Sequence, residues 1–81
     1  AVLNGEVMQD STTAFMIFDV ASVVSDLSRS MTLLPGTVIM TGTPDGVGFT
    51  RKPPVFLKEG DIISIFIDRI GELTNPVIRE P

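Results

Sequence analysis

The residues best suited to chemistry lie in the stretch Val38-Ile39-Met40-Thr41-Gly42-Thr43-Pro44-Asp45-Gly46-Val47-Gly48-Phe49. An apolar run with β character stops there at two threonines and a cluster of Gly and Pro. Such a junction delivers hydroxyls and backbone N–H groups to one place, and Gly lets the chain approach a ligand closely. Successive N–H groups in a turn form a concavity suited to a carboxylate or phosphate. Thr43 and Gly42 are the candidate ligand-binding residues, with Thr41 a weaker one. An ordinary surface turn whose Thr43 hydroxyl serves only the backbone is the competing reading.

Other chemistries find little support. The chain has no His and no Cys, so it offers no imidazole base, no His or thiolate metal ligand and no disulfide. Its ten acidic residues are dispersed, without an Asp-x-Asp or Glu-x-Glu pair of the kind a hard cation prefers. Asp10, Asp19, Asp26, Asp45, Asp61 and Asp68 read as connector, cap, helix-face or turn residues on a solvated surface. No catalytic residue and no metal ligand is assigned. Net charge is −4 with the six basic residues scattered, which argues against a nucleic-acid partner. No apolar run reaches the ~20 residues of a membrane span and no leader opens the chain, so a cytoplasmic or organelle-lumen protein is expected, cytoplasmic first. Arg51-Lys52 beside the loop is either a solvated basic pair or a lure for an acidic substrate.

The elements that must position the loop are legible in outline. Asn4-Gly5 between short apolar stretches is a hairpin signal. Asp19 is placed to cap a helix in which Val20, Val23, Val24, Leu27 and Met31 form one apolar face, to be held by packing on a sheet. Pro35-Gly36 ends that segment, and Thr37 to Thr41 reads as a buried strand. Residues Ile62 to Ile67 are the clearest strand, expected in the centre of a sheet with both faces covered, so that Ile65→Asp would unfold the domain. Asp68-Arg69-Ile70-Gly71 turns back into Glu72-Leu73-Thr74, and Asn75-Pro76 marks an edge. The 43% apolar content is high for 81 residues and suits part of something larger.

Six segments occur in a characteristic order. They are Asn4-Gly5-Glu6-Val7-Met8-Gln9, Met16-Ile17-Phe18, Leu27 to Leu33, Pro35 to Ile39, Thr41-Gly42-Thr43-Pro44-Asp45-Gly46-Val47-Gly48 and Lys52 to Asp61. Together they resemble the C-terminal part of the fumarylacetoacetate hydrolase family, nearest to its 2-hydroxyhepta-2,4-diene-1,7-dioate isomerase and acylpyruvase-like branch. The resemblance implies an α+β, β-rich fold: a mixed β-roll fragment with one packed helix, residues 1–81 forming the C-terminal part of a catalytic domain. It implies an enzyme of the hydrolase/isomerase kind acting on small 2-oxo or 2-hydroxy-enoic acids by keto–enol isomerisation, C–C hydrolysis or decarboxylation.

The resemblance further implies Mg²⁺ or Mn²⁺ as cofactor, its carboxylate ligands and the catalytic Lys lying in a missing N-terminal portion. A homodimer is also implied. Thr43 matches the threonine that contacts the substrate carboxylate or oxo oxygen, while Gln9 matches a position read as structural. Thr12 and Phe15 depart from residues common in the family. The alternative is a non-catalytic β-rich fragment serving packing or assembly.

Overall fold

The computed structural model describes residues 1–81. The chain divides into two compact units, one of residues 1–10 and 43–81 and the other of residues 11–42.

The first unit is built on a four-stranded antiparallel sheet. It comprises β1 (Val2–Leu3), β2 (Glu6–Val7), β3 (Ile62–Ile67) and β4 (Gly71–Pro76), in the order β2-β1-β3-β4. Asn4 and Gly5 make the two-residue turn between β1 and β2, at φ 50° and 83°. Both values lie in the left-handed region, which asparagine and glycine tolerate and most residues do not. β3 pairs with β1 on one side, Val2 opposite Ser64 and Leu3 opposite Ile63, and with β4 along its whole length on the other. Arg69, at φ 62°, turns β3 into β4. β4 is an edge strand, as β2 is on the other side, and Pro76 sits at its end opposite Ile62, where no ladder donor is needed. Ser64, the one polar residue of β3, shares a 2.8 Å hydrogen bond with the Thr74 hydroxyl across the ladder.

β3 is therefore central in pairing, as its sequence indicates, but its faces are not covered within this chain. Ile65 is 42% exposed, and Ile62, Phe66 and Ile67 are more open still. No apolar residue anywhere in the 81 is fully buried. A sheet becomes a core only when a second layer lies on it. The expectation that Ile65→Asp places a charge in a closed interior consequently fails for this chain alone.

The second unit holds a single α-helix, α1 (Val20–Ser28). Asp19 is its N-cap, its carboxylate accepting the Ser22 N–H at 2.8 Å. Ser22, through its hydroxyl first and its backbone N–H second, also lowers the pKa of the Asp19 carboxyl from its ordinary value. The helix ends at Ser28 with Arg29 as C-cap, well before Pro35. Val23 and Leu27 are half-buried, whereas Val20, Val24 and Met31 remain exposed, so the apolar face is largely unpacked. Thr12 caps a short 3-10 turn, Thr13–Phe15, through a 3.3 Å bond from the Ala14 N–H.

Residues 37–41 do not form the buried strand that their sequence predicts. They join no ladder, and Val38 and Met40 are 85% and 94% exposed. β propensity describes fit to a pleated, half-covered surface, and no neighbouring strand of this chain offers one.

Asp61 is the single buried residue, at 3% exposure, which overturns its reading as a solvated turn residue. Its carboxylate accepts from Asn4 Nδ2 at 2.9 Å and from the Lys58 backbone N–H at 3.0 Å, with Lys58 Nζ at 3.3 Å. These interactions, the Asn4 amide first, lower its pKa from the ordinary value. Stability from a lowered carboxyl pKa is present above the unfolded value and is lost as pH falls through the folded one. In the protein containing this chain, Asp61→Asn should lower Tm by roughly 2–4 °C at pH 7, because it weakens the hydrogen bonds that the carboxylate accepts. It should also blunt the fall in Tm below about pH 4. Thermal melts of parent and variant from pH 3 to 7 check both; an unchanged acid limb would count against the assignment.

Candidate functional site

The loop following Thr43 is shaped by two glycines pressed against backbone. Gly46 has φ +98°, and a Cβ there would stand 2.2 Å from the Met8 carbonyl oxygen. Gly48 carries the Val55 carbonyl where its Cβ would be, at 2.1 Å, and its own carbonyl accepts the Val55 N–H at 2.8 Å. Residues Gly48–Thr50 form a 3-10 turn closed by the Thr50 hydroxyl on the Val47 carbonyl. The sequence marks these glycines as loop formers; the structure shows that their lack of a side chain lets three stretches of chain touch.

Arg51 braces the same loop from the other side. Its guanidinium donates from Nε to the Gly46 carbonyl at 3.2 Å and from Nη2 to the Met8 carbonyl. Those bonds make the half-buried Arg51 a strut rather than a solvated lure for anions; Lys52 next to it is exposed.

Thr43 is exposed, and its hydroxyl oxygen accepts a 2.8 Å hydrogen bond from Gln9 Nε2. The same nitrogen donates to the Pro44 carbonyl at 2.9 Å. Gln9 thus ties the residues after β2 to the first residues of the loop, a link between positions 34 and 35 apart. Gly42 lies at φ +93° with open space where a Cβ would project. Its freedom is needed for backbone shape, not for close packing. Thr41 is exposed and makes no side-chain hydrogen bond within the chain.

A hollow of about 280 Å³ opens beside Thr43. Gln9 and Thr43 are its only polar side chains, among Val2, Leu3, Met8, Val47, Val55, Leu57 and Ile63. Its size falls near the lower end of small-ligand clefts, about 300–1,000 Å³, and few oriented polar groups on apolar walls are their usual makeup.

No group of three Asp, Glu, His or Cys side chains comes together within the chain. No helix is long and apolar enough to cross a membrane.

The glycine contacts distinguish shape from space. Gly46→Ala should destabilise the protein by about 2 kcal/mol or more, since a strained φ and a backbone clash add. Gly42→Ala meets only the first cost, about 1–2 kcal/mol. Denaturant melts of the two variants should separate them in that order, and equal losses would mean that the loop relaxes around Gly46.

Comparison with known proteins places this geometry. The model of the fumarylacetoacetate (FAA) hydrolase C-terminal region matches residues 1–78. A fumarylacetoacetate hydrolase domain-containing protein 2 homolog of Dictyostelium discoideum is 57% identical over 76 residues, covering 93% of this chain and 25% of that protein. The mitochondrial oxaloacetate tautomerase fahd2 of Xenopus laevis is 47% identical over 76 residues, 94% of this chain and 24% of its own length. Among solved structures, the fumarylacetoacetate hydrolase of Exiguobacterium antarcticum superposes with a TM-score of 0.90 at 47% identity, covering 98% of this chain and 28% of that one. The chain thus spans about a quarter of the curated relatives it matches. An α+β arrangement of one helix and a four-stranded antiparallel sheet is what these neighbours share with it. By its ordered motifs, its matched length and its fold, this chain belongs to the fumarylacetoacetate hydrolase family and corresponds to that family's C-terminal region.

Proposed function

We propose that residues 1–81 are the C-terminal part of a catalytic domain that interconverts keto and enol forms of a small 2-oxo acid, with Thr43 holding a substrate oxygen. The observation that carries the reaction class is the 47% identity, across nearly the whole chain, to a protein named as an oxaloacetate tautomerase. C–C hydrolysis and decarboxylation of related acids remain within reach of the same enolate chemistry, and the name of the Exiguobacterium neighbour keeps hydrolysis in view.

Within this reading the chain's own residues bind and orient. The Thr43 hydroxyl donates to a carboxylate or oxo oxygen seated in the hollow, and the positive φ of Gly42 shapes the backbone that leads into Thr43. Once the remainder of the protein covers the hollow, its apolar walls would exclude water and strengthen that hydrogen bond. A Mg²⁺ or Mn²⁺ cofactor is part of the proposal. Its ligands are assigned outside these 81 residues, whose carboxylates form no group of three. The open faces of β3, β4 and α1 are the surfaces that the remainder of the protein, and a second subunit of a homodimer, would cover. A cytoplasmic location is proposed from the sequence. The mitochondrial designation of the Xenopus relative sets the alternative, which subcellular fractionation separates.

The test is Thr43→Val in the complete protein, a change that keeps shape and removes the hydroxyl. Loss of a hydrogen bond to a charged group should cost ~1.5–3 kcal/mol, roughly tenfold to a hundredfold in kcat/KM on oxaloacetate. Gln9 keeps its bond to the Pro44 carbonyl, so Tm should move little. A variant that matches the parent on its best substrate among oxaloacetate, an acylpyruvate and a 2-hydroxydienoate would make the loop purely structural.

A further inference from the structure

We propose that Gln9 is a positioning residue that sets the direction of the Thr43 hydroxyl, turning it into a proton donor toward a bound carboxylate or oxo oxygen. This rests on the reading of Thr43 as ligand-facing. The orientation of the Gln9 carboxamide follows from its second partner. A proline carbonyl can only accept, so the end of the amide 2.9 Å from the Pro44 oxygen is the NH2. That nitrogen also lies 2.8 Å from Thr43 Oγ1 and can only donate to it. One lone pair of the hydroxyl is thereby occupied, and its single proton must point elsewhere. Without Gln9 the hydroxyl is free to spend that proton on nearby backbone, as threonines in turns do.

The surroundings are built for this reach. Gln9 is half-buried while Thr43 is exposed, so the carboxamide approaches from the protein side and leaves the other side of the hydroxyl open. Gln9 Cγ lies 3.1 Å from where a Cβ on Gly46 would stand, so the absence of a side chain at Gly46 clears its path. Arg51 anchors the carbonyl of the preceding Met8, which fixes the backbone from which Gln9 extends. Gln9 and Thr43 are also the only polar side chains of the hollow. The pair therefore selects for an oxygen that accepts, as a carboxylate does, over a group that brings its own proton.

The experiment is a double-mutant cycle in the complete protein, read as steady-state kcat/KM for oxaloacetate and as a calorimetric Kd for the same compound. Gln9→Met keeps the length and removes the donor; it should lower kcat/KM about three- to tenfold, mostly through KM. In the Thr43→Val background the same change should cost less than about twofold, because nothing is left to orient. A Gln9→Met penalty of equal factor in both backgrounds overturns the positioning role while leaving Thr43 as a substrate contact. Thr43→Val without effect on either readout overturns both readings. Gln9→Glu carries the test if Gln9→Met does not fold, since an ionised carboxylate draws the Thr43 proton toward itself. KM should then rise at least about tenfold, and an unchanged KM overturns the proposal.

Discussion

Everything regular in the first unit converges on the contact between Asn4 and Asp61. Asn4 sits in the β1–β2 turn at positive φ, and its side chain is used at both ends: Nδ2 donates to the Asp61 carboxylate and Oδ1 accepts the Ile62 N–H at 2.8 Å. Its backbone N–H reaches the Ile62 carbonyl as well. Asp61 closes the turn from Lys58 with its other oxygen, and its backbone carbonyl accepts the Val77 N–H just beyond β4. One asparagine–aspartate pair thus registers the hairpin, the start of β3 and the end of β4 against each other. In a unit without a closed apolar core, such directional bonds decide register, because no buried face is present to penalise a slip.

That registration has consequences at the loop. Once β1 and β2 are placed, the residues following β2 run past the loop that begins at Thr43. Three contacts then need room at backbone distance: Met8 with Gly46, Gly48 with Val55, and Gln9 with Thr43 and Pro44. Glycine is the only residue that fits the first two. The polar chemistry of the hollow follows from steric permission given elsewhere, and Arg51 holds the arrangement by capping two of the carbonyls involved.

How much of this is legible in the sequence depends on the range of the interaction. The Asn4-Gly5 hairpin, the Asp19 cap, strand 62–67 and the β4 edge at Pro76 all depend on neighbours within a few positions, and each stands where its residues put it. The ordered motifs likewise suffice for the family. The burial of Asp61 does not show, because Asn4 lies 57 positions away and an acidic residue after Glu-Gly looks like any turn. The same holds for Arg51, whose partners at Met8 and Gly46 convert an apparent surface charge into a brace. Gln9 reads as structural, which its bonds support, but nothing in one dimension shows that its partner is the Thr43 hydroxyl.

Two apolar segments depart from expectation for one shared reason. Strand 62–67 with covered faces and a buried strand at 37–41 both rest on hydrophobic runs, and a hydrophobic run states only that cover is required. It does not say which chain supplies it. Here β3 finds ladder partners in β1 and β4, so it keeps its conformation with its faces open, while residues 37–41 find none and adopt no ladder. Backbone pairing and face burial are separate requirements, and these segments separate them: the first is met inside the 81 residues for β3 alone, the second for neither. The chain spans about a quarter of its curated relatives, and its open apolar faces are the ones that the proposed reading assigns to the rest of the protein. The polar contacts that fix Asp61 and Thr43 need no such cover and are complete within the chain. Local order at the candidate site is therefore set by bonds within the chain, apart from the burial that would make it a closed cleft.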